Sequence, residues 1–389
     1  MRTLELIVGL VCVLTVVVDA FQTIILPRRP SGRWRLTAFF FIATWPLWRG
    51  VARRMKDGRV REKWYSVYGP LSILLLLVLW ALLLVVGFAL LFAGQRAPFG
   101  DAMMAGRGVL ESFKTDLYVS GTTMFTLGLG DVVPKSLAAR TLVVFEAGMG
   151  LGFVAMVIGY VPVLYGAFSK REVSIALLDG RAGSPPTATE LIRRHSFEGG
   201  DAALVTLLEE WERWAAEILE SHISYPTLCY YRSQHDNQSW LSALTAVLDV
   251  CALLISNVRG LPSRQAQLTF VMARHALIDL RQVFHLEVKD GGEDRLGAEM
   301  FGRMCGELSG AGVRLCGDPA SVGRLREMRA LYEPHAVALS DYLQMPLPMW
   351  VAEEKKKDSW RMLSRVRAEA EMQVGAHSEL RLHDDDHAM

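Results

Sequence analysis

The chain has 389 residues, 51% of them hydrophobic, and 42 Lys and Arg against 41 Asp and Glu leave a net charge of +1. Such a length predicts two or three domains, and the charge balance excludes a nucleic-acid partner held by a general excess of basic residues. The long apolar runs lie before residue 170 and the acidic residues concentrate after it, so the reading is a membrane half followed by a soluble half.

Three segments are apolar over the roughly 20 residues that a bilayer crossing needs: residues 4–26, 70–92 and 137–168. A cleaved leader at residues 1–20 is the lesser reading, because a single arginine precedes the apolar run and that run continues past Asp19. A fourth stretch, residues 36–48, is too short to span comfortably. Its Phe39, Phe40, Phe41, Trp45 and Trp48, with Arg33, Arg35 and Arg49 at its ends, predict a helix in or dipping into the headgroup layer. Residues 28–63 hold eleven basic side chains, Arg28, Arg29, Arg33, Arg35, Arg49, Arg53, Arg54, Lys56, Arg59, Arg61 and Lys63. An excess of this kind marks the cytoplasmic side. The first helix then runs inward, residues 93–136 are external, and the third helix delivers the rest of the chain to the cytosol, with the N-terminus outside. The basic segment also suits anionic lipid; it holds no arginine series within a span, so it is not read as a voltage sensor. Asp19 is expected near the cytosolic face, capping a helix or pairing with Arg28 or Arg29.

Between the second and third spans stands Tyr118-Val-Ser-Gly-Thr122-Thr-Met-Phe-Thr126-Leu127-Gly128-Leu129-Gly130-Asp131-Val-Val-Pro134. Irregular backbone at membrane depth is tolerated where it is enclosed by protein or lines water. Rings of backbone carbonyls can replace an ion's hydration shell, and Gly128 and Gly130 permit the positive φ that successive inward carbonyls need. The Thr126 hydroxyl would supply the innermost ring, Leu127 and Leu129 would pack behind, and Asp131 would charge the outer mouth. Residues 110–125 are about long enough for a helix through half the bilayer.

These residues resemble the potassium channel pore family, with a filter similar to that of the two-pore-domain potassium channels. The resemblance covers about residues 70–170. It implies a homotetramer, since one loop per chain cannot close a ring, with K⁺ as transported ion and no cofactor. It also implies that Pro134, Arg140 and Gly150 hold the places of the family's post-filter proline, arginine and hinge glycine. Departures are Phe125 where a threonine is usual, Leu129 where an aromatic residue stands, and Thr122 in place of a supporting glutamate. They imply a looser filter, so a weakly selective cation pore is the alternative to a potassium-preferring one. Glu146, a carboxylate inside a span and so a functional candidate, is expected either to reach Thr122 or Tyr118 in place of the missing glutamate or to be a protonated structural residue facing no ions.

Residues 137–168 would extend roughly 48 Å as a helix, longer than a 30 Å hydrocarbon core. Gly148, Gly150 and Gly152 form a flexible patch, with packing and hinge roles both open for the first and last. Pro162 predicts a kink, and below it Tyr165 and Phe168 are expected to form the cytoplasmic constriction.

After residue 170 the periodicity is helical, with segments at 202–221, 240–258, 265–288, 322–343 and 350–374 and linkers near 179–186, 260–262, 290–294 and 317–319. A bundle of antiparallel helices is the expectation. Cys12, Cys229, Cys251, Cys305 and Cys316 show no C-x-x-C spacing and read as reduced thiols. There is no G-x-G-x-x-G signature, nor a nucleophile–base constellation. His222, His235 and Asp236, with His275 and Asp279 further on, are candidate metal ligands, the commoner role being structural. Trp211 and Trp214 are read as buried packing residues, Lys355–Lys357 as a solvated face and His383–His387 as a tail. The expected architecture is therefore an all-α membrane protein: residues 1–69 with one spanning and one interfacial helix, a pore domain at 70–170 with a re-entrant helix and filter, and a cytosolic helical regulatory or assembly domain at 171–389. Passive ion conduction is the leading function, a membrane sensor or scaffold with a silent pore and a partner-binding bundle is the alternative from another class, and an unknown cytosolic ligand is left open.

Overall fold

The computed structural model describes residues 2–26, 35–95, 99–100, 109–234, 238–261, 263–288 and 294–352. Arg28, Arg29, Arg33, His235, Asp236, the 353–374 part of the expected last helix, Lys355–Lys357 and the His383–His387 tail lie outside these residues. The chain forms two compact units, one of Met1–Lys170 with Glu220–Arg232 and one of Arg171–Leu219 with the residues from Ser233 onward. Apart from a two-residue antiparallel ribbon, β1 (Phe99–Gly100) against β2 (Val133–Pro134), the regular structure of the described residues is helical.

In the first unit, α1 (Arg2–Ala20) continues through one π turn to Ile25. It lies antiparallel to α3 (Gly58–Ala93), as Leu6 meets Gly94 and Asp19 meets Trp80. Gly9 and Gly87 let the two backbones touch: a Cβ on Gly9 would stand 2.6 Å from the Gly87 carbonyl oxygen, a close approach typical of helices that pack without a hydrophobic drive between them. The helix α3 begins twelve residues before the apolar run starts at Pro70, because Asp57 caps it by accepting from the Arg59 amide at 2.8 Å.

The helix α2 (Leu36–Ala52) is apolar but shorter than the three candidate spans. It runs antiparallel to the first half of α3, since Trp48 pairs with Trp64 and Thr44 with Tyr68. The Trp48 and Trp64 rings stack at 4.2 Å, and each indole N–H donates to the other's backbone carbonyl, at 3.1 and 3.2 Å. Both α1 and α2 are antiparallel to α3, so α2 starts where α1 ends and continues in the same direction rather than crossing back. Asp19 fixes that junction. Its Oδ2 accepts from the Thr37 amide (3.0 Å), the Thr37 hydroxyl (2.6 Å) and the Trp80 indole (3.0 Å), while Arg35 Nε stands 3.9 Å from Oδ1. Asp19 therefore caps α2, one of the two roles expected of it, and stands beside Arg35; Arg28 and Arg29 lie outside the described residues.

The rest of the first unit is α4 (Val109–Met124) and α5 (Leu137–Ala182), whose first part belongs here. The helix α5 passes through Pro162 unbroken and ends fourteen residues beyond the expected limit. At about 1.5 Å per residue it is roughly 69 Å long.

The second unit is built around α8 (Trp240–Ser256), buried at every residue except Ile255. A helix apolar on all sides has to be a core helix or a span, and here α6 (Ala188–Arg194), α9 (Ser263–Val283), α11 (Pro319–Ala330) and α12 (Glu333–Leu343) enclose it. The expected helix at 322–343 is two helices, because Tyr332 interrupts the run and Pro334 suits the first turn of a new helix. The helices α6 and α10 (Ala298–Gly310) lie in stretches read as helical, though outside the segments of clearest periodicity. The helix α7 (Gly200–Ser224) carries Trp211 and Trp214, both buried, with ring centres 4.5 Å apart.

Asp249 on α8 is fully buried and held by a bidentate pair with Arg295, at 2.7 and 3.2 Å, and by the Tyr332 hydroxyl. Arg295 also donates to Glu333 at 2.9 Å and to the Pro348 carbonyl at 2.7 Å. Burial disfavours a charged Arg295, but the Asp249 carboxylate against it more than offsets this and holds its pKa above the ordinary arginine value. Removing one partner strands the other charge, so Arg295→Met is expected to cost about 3–5 kcal/mol. Thermal unfolding of the detergent-solubilised full chain measures this; a loss below about 1 kcal/mol would show that the pair is dispensable.

A candidate ion-conducting site

The loop that carries Thr126 to Asp131 is shaped by the end of α4. The Thr126 amide donates to the Thr123 carbonyl (2.9 Å) and the Leu127 amide to the Thr122 carbonyl (2.8 Å), which also lies 3.3 Å from the Gly128 amide. This is the Schellman pattern that ends helices on a left-handed residue, normally glycine. Here the left-handed residue is Thr126, at φ +57°. A β-branched side chain is costly in that region. Gly128 and Gly130 follow at φ +53° and +78°, so positive φ recurs at every second residue from 126 to 130. Thr126, Leu127, Gly128, Leu129, Gly130 and Asp131 are all exposed in the single chain.

Around this loop the three helices are tied together by Ser120. Its Oγ lies 2.9 Å from the Val85 carbonyl oxygen on α3 and 2.5 Å from Glu146 Oε1 on α5. Glu146 is fully buried, and its partner is neither Thr122 nor Tyr118. Thr122 donates to the Val119 carbonyl one turn back (3.0 Å), and the Tyr118 hydroxyl donates to Asp131 Oδ2 (2.8 Å). Asp131 is thus braced by α4. Ser120 was not legible as a site residue, since a lone serine on an apolar face carries no signal until its neighbours are known. Beyond the loop, Arg140 Nε donates to the Pro134 carbonyl at 3.2 Å and the Ser136 hydroxyl caps α5 at the Ala139 amide.

One hydroxyl carries one proton. Ser120 satisfies both Val85 and Glu146 if it donates to the first and the carboxylic acid donates to it. With a neutral acid as the working form, Glu146→Gln is expected to cost about 1 kcal/mol or less and Glu146→Leu about 1–3 kcal/mol. Thermal unfolding of both variants checks this; a glutamine variant that loses as much as the leucine one would rule out the neutral pairing.

Gly150 sits where α5 crosses the end of α4. A Cβ there would lie 2.9 Å from the Met124 carbonyl carbon and closer still to its oxygen, whereas Gly148 and Gly152 have open space. Within the subunit Gly150, for which the resemblance implies a hinge, is a close-packing position. Pro162 and Tyr165 are exposed, Tyr165 at 63%, but Phe168 is only 8% exposed because its ring lies against Tyr231 at 5.5 Å. Phe168 is not free to line a constriction alongside Tyr165 in this conformation.

Of the metal candidates, His235 and Asp236 lie outside the described residues. His222 is buried with its Nδ1 3.0 Å from the Ser221 hydroxyl, His275 pairs with Asp279 at 3.5 Å within α9, and no group of three potential ligands occurs among the described residues.

Three helices are long and apolar enough to cross a membrane: Arg2–Ile25, Gly58–Ala93 and Leu137–Ala182. Their most apolar stretches are buried very unequally within the single chain, 56% for α3 but 11% for α5. Comparison with known proteins agrees with this layout. Residues 73–164 match the family model described as Ion channel. The chain is 28% identical over 214 residues to the protein entitled "Uncharacterized membrane protein YdjJ" of Bacillus subtilis (strain 168), a match spanning 54% of this chain and 58% of that relative. No solved structure matches. The segment from 73 to 164, holding the outer helix, the tethered loop and the inner helix, is the part of the chain similar to that ion-channel family.

Proposed function

We propose that four copies of this chain assemble around a common axis and pass potassium ions passively down their electrochemical gradient. The observation that carries this reading is the loop geometry: positive φ at Thr126, Gly128 and Gly130 in alternation, anchored on the last turn of α4. Alternation of this kind lets successive carbonyls face one side, and one loop per chain requires copies to close a ring that replaces the ion's hydration. The largely uncovered apolar face of α5, including Leu151 and Ile158, supplies surface for neighbouring copies. K⁺ is cargo rather than a resident cofactor. In this reading the basic residues from 49 to 63 lie at the cytoplasmic side of a cytoplasmic membrane, as an excess of such residues favours, with the N-terminus and the loop outside and anionic headgroups as their neighbours.

A weakly selective cation pore is the second reading. It is favoured by Phe125 and Leu129, apolar side chains that add no hydrogen bonds around the loop. Uptake of a potassium tracer by liposomes holding the purified full chain tests conduction: a conducting pore fills them and Gly128→Ala does not, while uptake equal to that of protein-free liposomes rejects the proposal.

A further inference from the structure

The segment from Tyr225 to Arg232, with the 3₁₀ turn Pro226–Tyr230 at its centre, lies in the sequence between α7 and α8 yet packs in the membrane unit. On one side it covers a single stripe of the inner helix. Tyr160, Leu164 and Phe168 recur at every fourth residue of α5, which puts them on one face, and all three are buried. Tyr225 meets Tyr160 at 5.7 Å and Tyr231 meets Phe168 at 5.5 Å between ring centres. On the other side the segment enters the α2–α3 scaffold. Tyr230 stacks on Phe41 at 5.3 Å and 7°. The Tyr231 ring fills the notch at Gly69, where a Cβ would lie 2.7 Å from it. Arg232 lies over the Tyr65 ring at 4.8 Å and pairs with Glu62 at 3.4 Å. Both ends of the segment continue into the second unit, where the Ser233 hydroxyl, the next residue, donates to Glu172 on the far part of α5 at 3.2 Å.

We infer that this segment is a strap that positions the cytoplasmic end of the inner helix, with Tyr231 as its main positioning residue. The inference rests on the channel reading. The strap grips the face of α5 opposite to the exposed Pro162 and leaves Val161, Val163 and Tyr165 on the flanks of that face exposed, surface left for other copies. It therefore draws each inner-helix end back toward its own α2 and α3 and holds the four ends apart. Loosening it lets them converge.

The experiment is bilayer recording of the reconstituted full chain in mixed potassium and sodium, with Tyr231→Ala, Tyr231→Phe, Gly69→Ala and the Gly69→Ala/Tyr231→Ala pair. Tyr231→Ala and Gly69→Ala, the second by forcing the ring out of its notch, are expected to lower open probability roughly tenfold or more. The reversal potential should not move, and Tyr231→Phe should retain most of the activity. The double variant should behave as Tyr231→Ala alone, because the two changes break one contact. Open probability unchanged in both single variants overturns the strap, and so does a reversal potential that shifts with it. Should Tyr231→Ala not assemble, Tyr231→Leu gives the same comparison. A wild-type chain without current rejects instead the channel reading, and the strap falls with it.

Discussion

Gly150→Ala is expected to abolish conduction, while Gly148→Ala and Gly152→Ala leave most of it. The added methyl would fall on the Met124 carbonyl, which is backbone and cannot rotate away. Relief requires α5 and the end of α4 to separate. Overpacking of this kind typically costs about 1–3 kcal/mol, occasionally more, but the functional loss should exceed that figure. Met124 is the last residue of the helix from which Leu127 and Gly128 hang, so its displacement unseats the loop. A tracer flux at least about tenfold below wild type is expected, with a lowered tetramer fraction in size-exclusion chromatography. A hinge role alone would give a different result: altered gating with unchanged assembly and thermal stability.

Thr126 and Gly128 should separate stability from function. Both hold positive φ, at +57° and +53°. Gly128→Ala introduces a left-handed non-glycine residue at a cost of about 1–2 kcal/mol, and in a closed ring its methyl also crowds the axis, so loss of flux is expected. Thr126→Gly works in the opposite sense on stability. It removes strain that a β-branched residue suffers at the left-handed position, so the melting temperature should hold or rise by a few degrees. Preference for potassium over sodium should nevertheless fall, because the threonine hydroxyl is lost, and Thr126→Ser should keep it. Strain is retained at functional sites because the structure over-determines it, and Thr126→Gly is expected to show the opposite stability and activity signs that such retention predicts. Equal loss of stability and selectivity in Thr126→Gly would remove the hydroxyl from the account.

Much of this was legible in the residues. Long uncharged runs announce spans because each needs about 20 apolar residues, and the glycine spacing at 128 and 130 announces positive φ because other residues avoid it. The relations that hold the site together were not legible, since they join elements far apart in sequence without periodic pattern. Ser120 reaches both Val85 and Glu146, and the partners once expected of Glu146 are engaged elsewhere. Gly150 looks like Gly148 and Gly152 in sequence; only the crossing of α4 over α5 tells them apart. Asp19 reads as a helix-end carboxylate, but its role as the cap of α2 depends on where α2 begins. In Tyr225–Arg232 nothing in the sequence tells that the Tyr230 ring packs in an aromatic core formed by α2 and α3. In the second unit the split between α11 and α12 was hidden because an apolar stripe can continue across a turn while the backbone does not.

The central claim is that four copies of the 126–130 loop converge and that their backbone oxygens take the place of an ion's water. Single-channel recording of the reconstituted chain between a potassium and a sodium solution tests it most directly. The expected result is a unitary current that reverses toward the potassium equilibrium potential and disappears in Gly128→Ala. A wild-type current that persists unaltered in Gly128→Ala, or no current above that of protein-free bilayers, would contradict it.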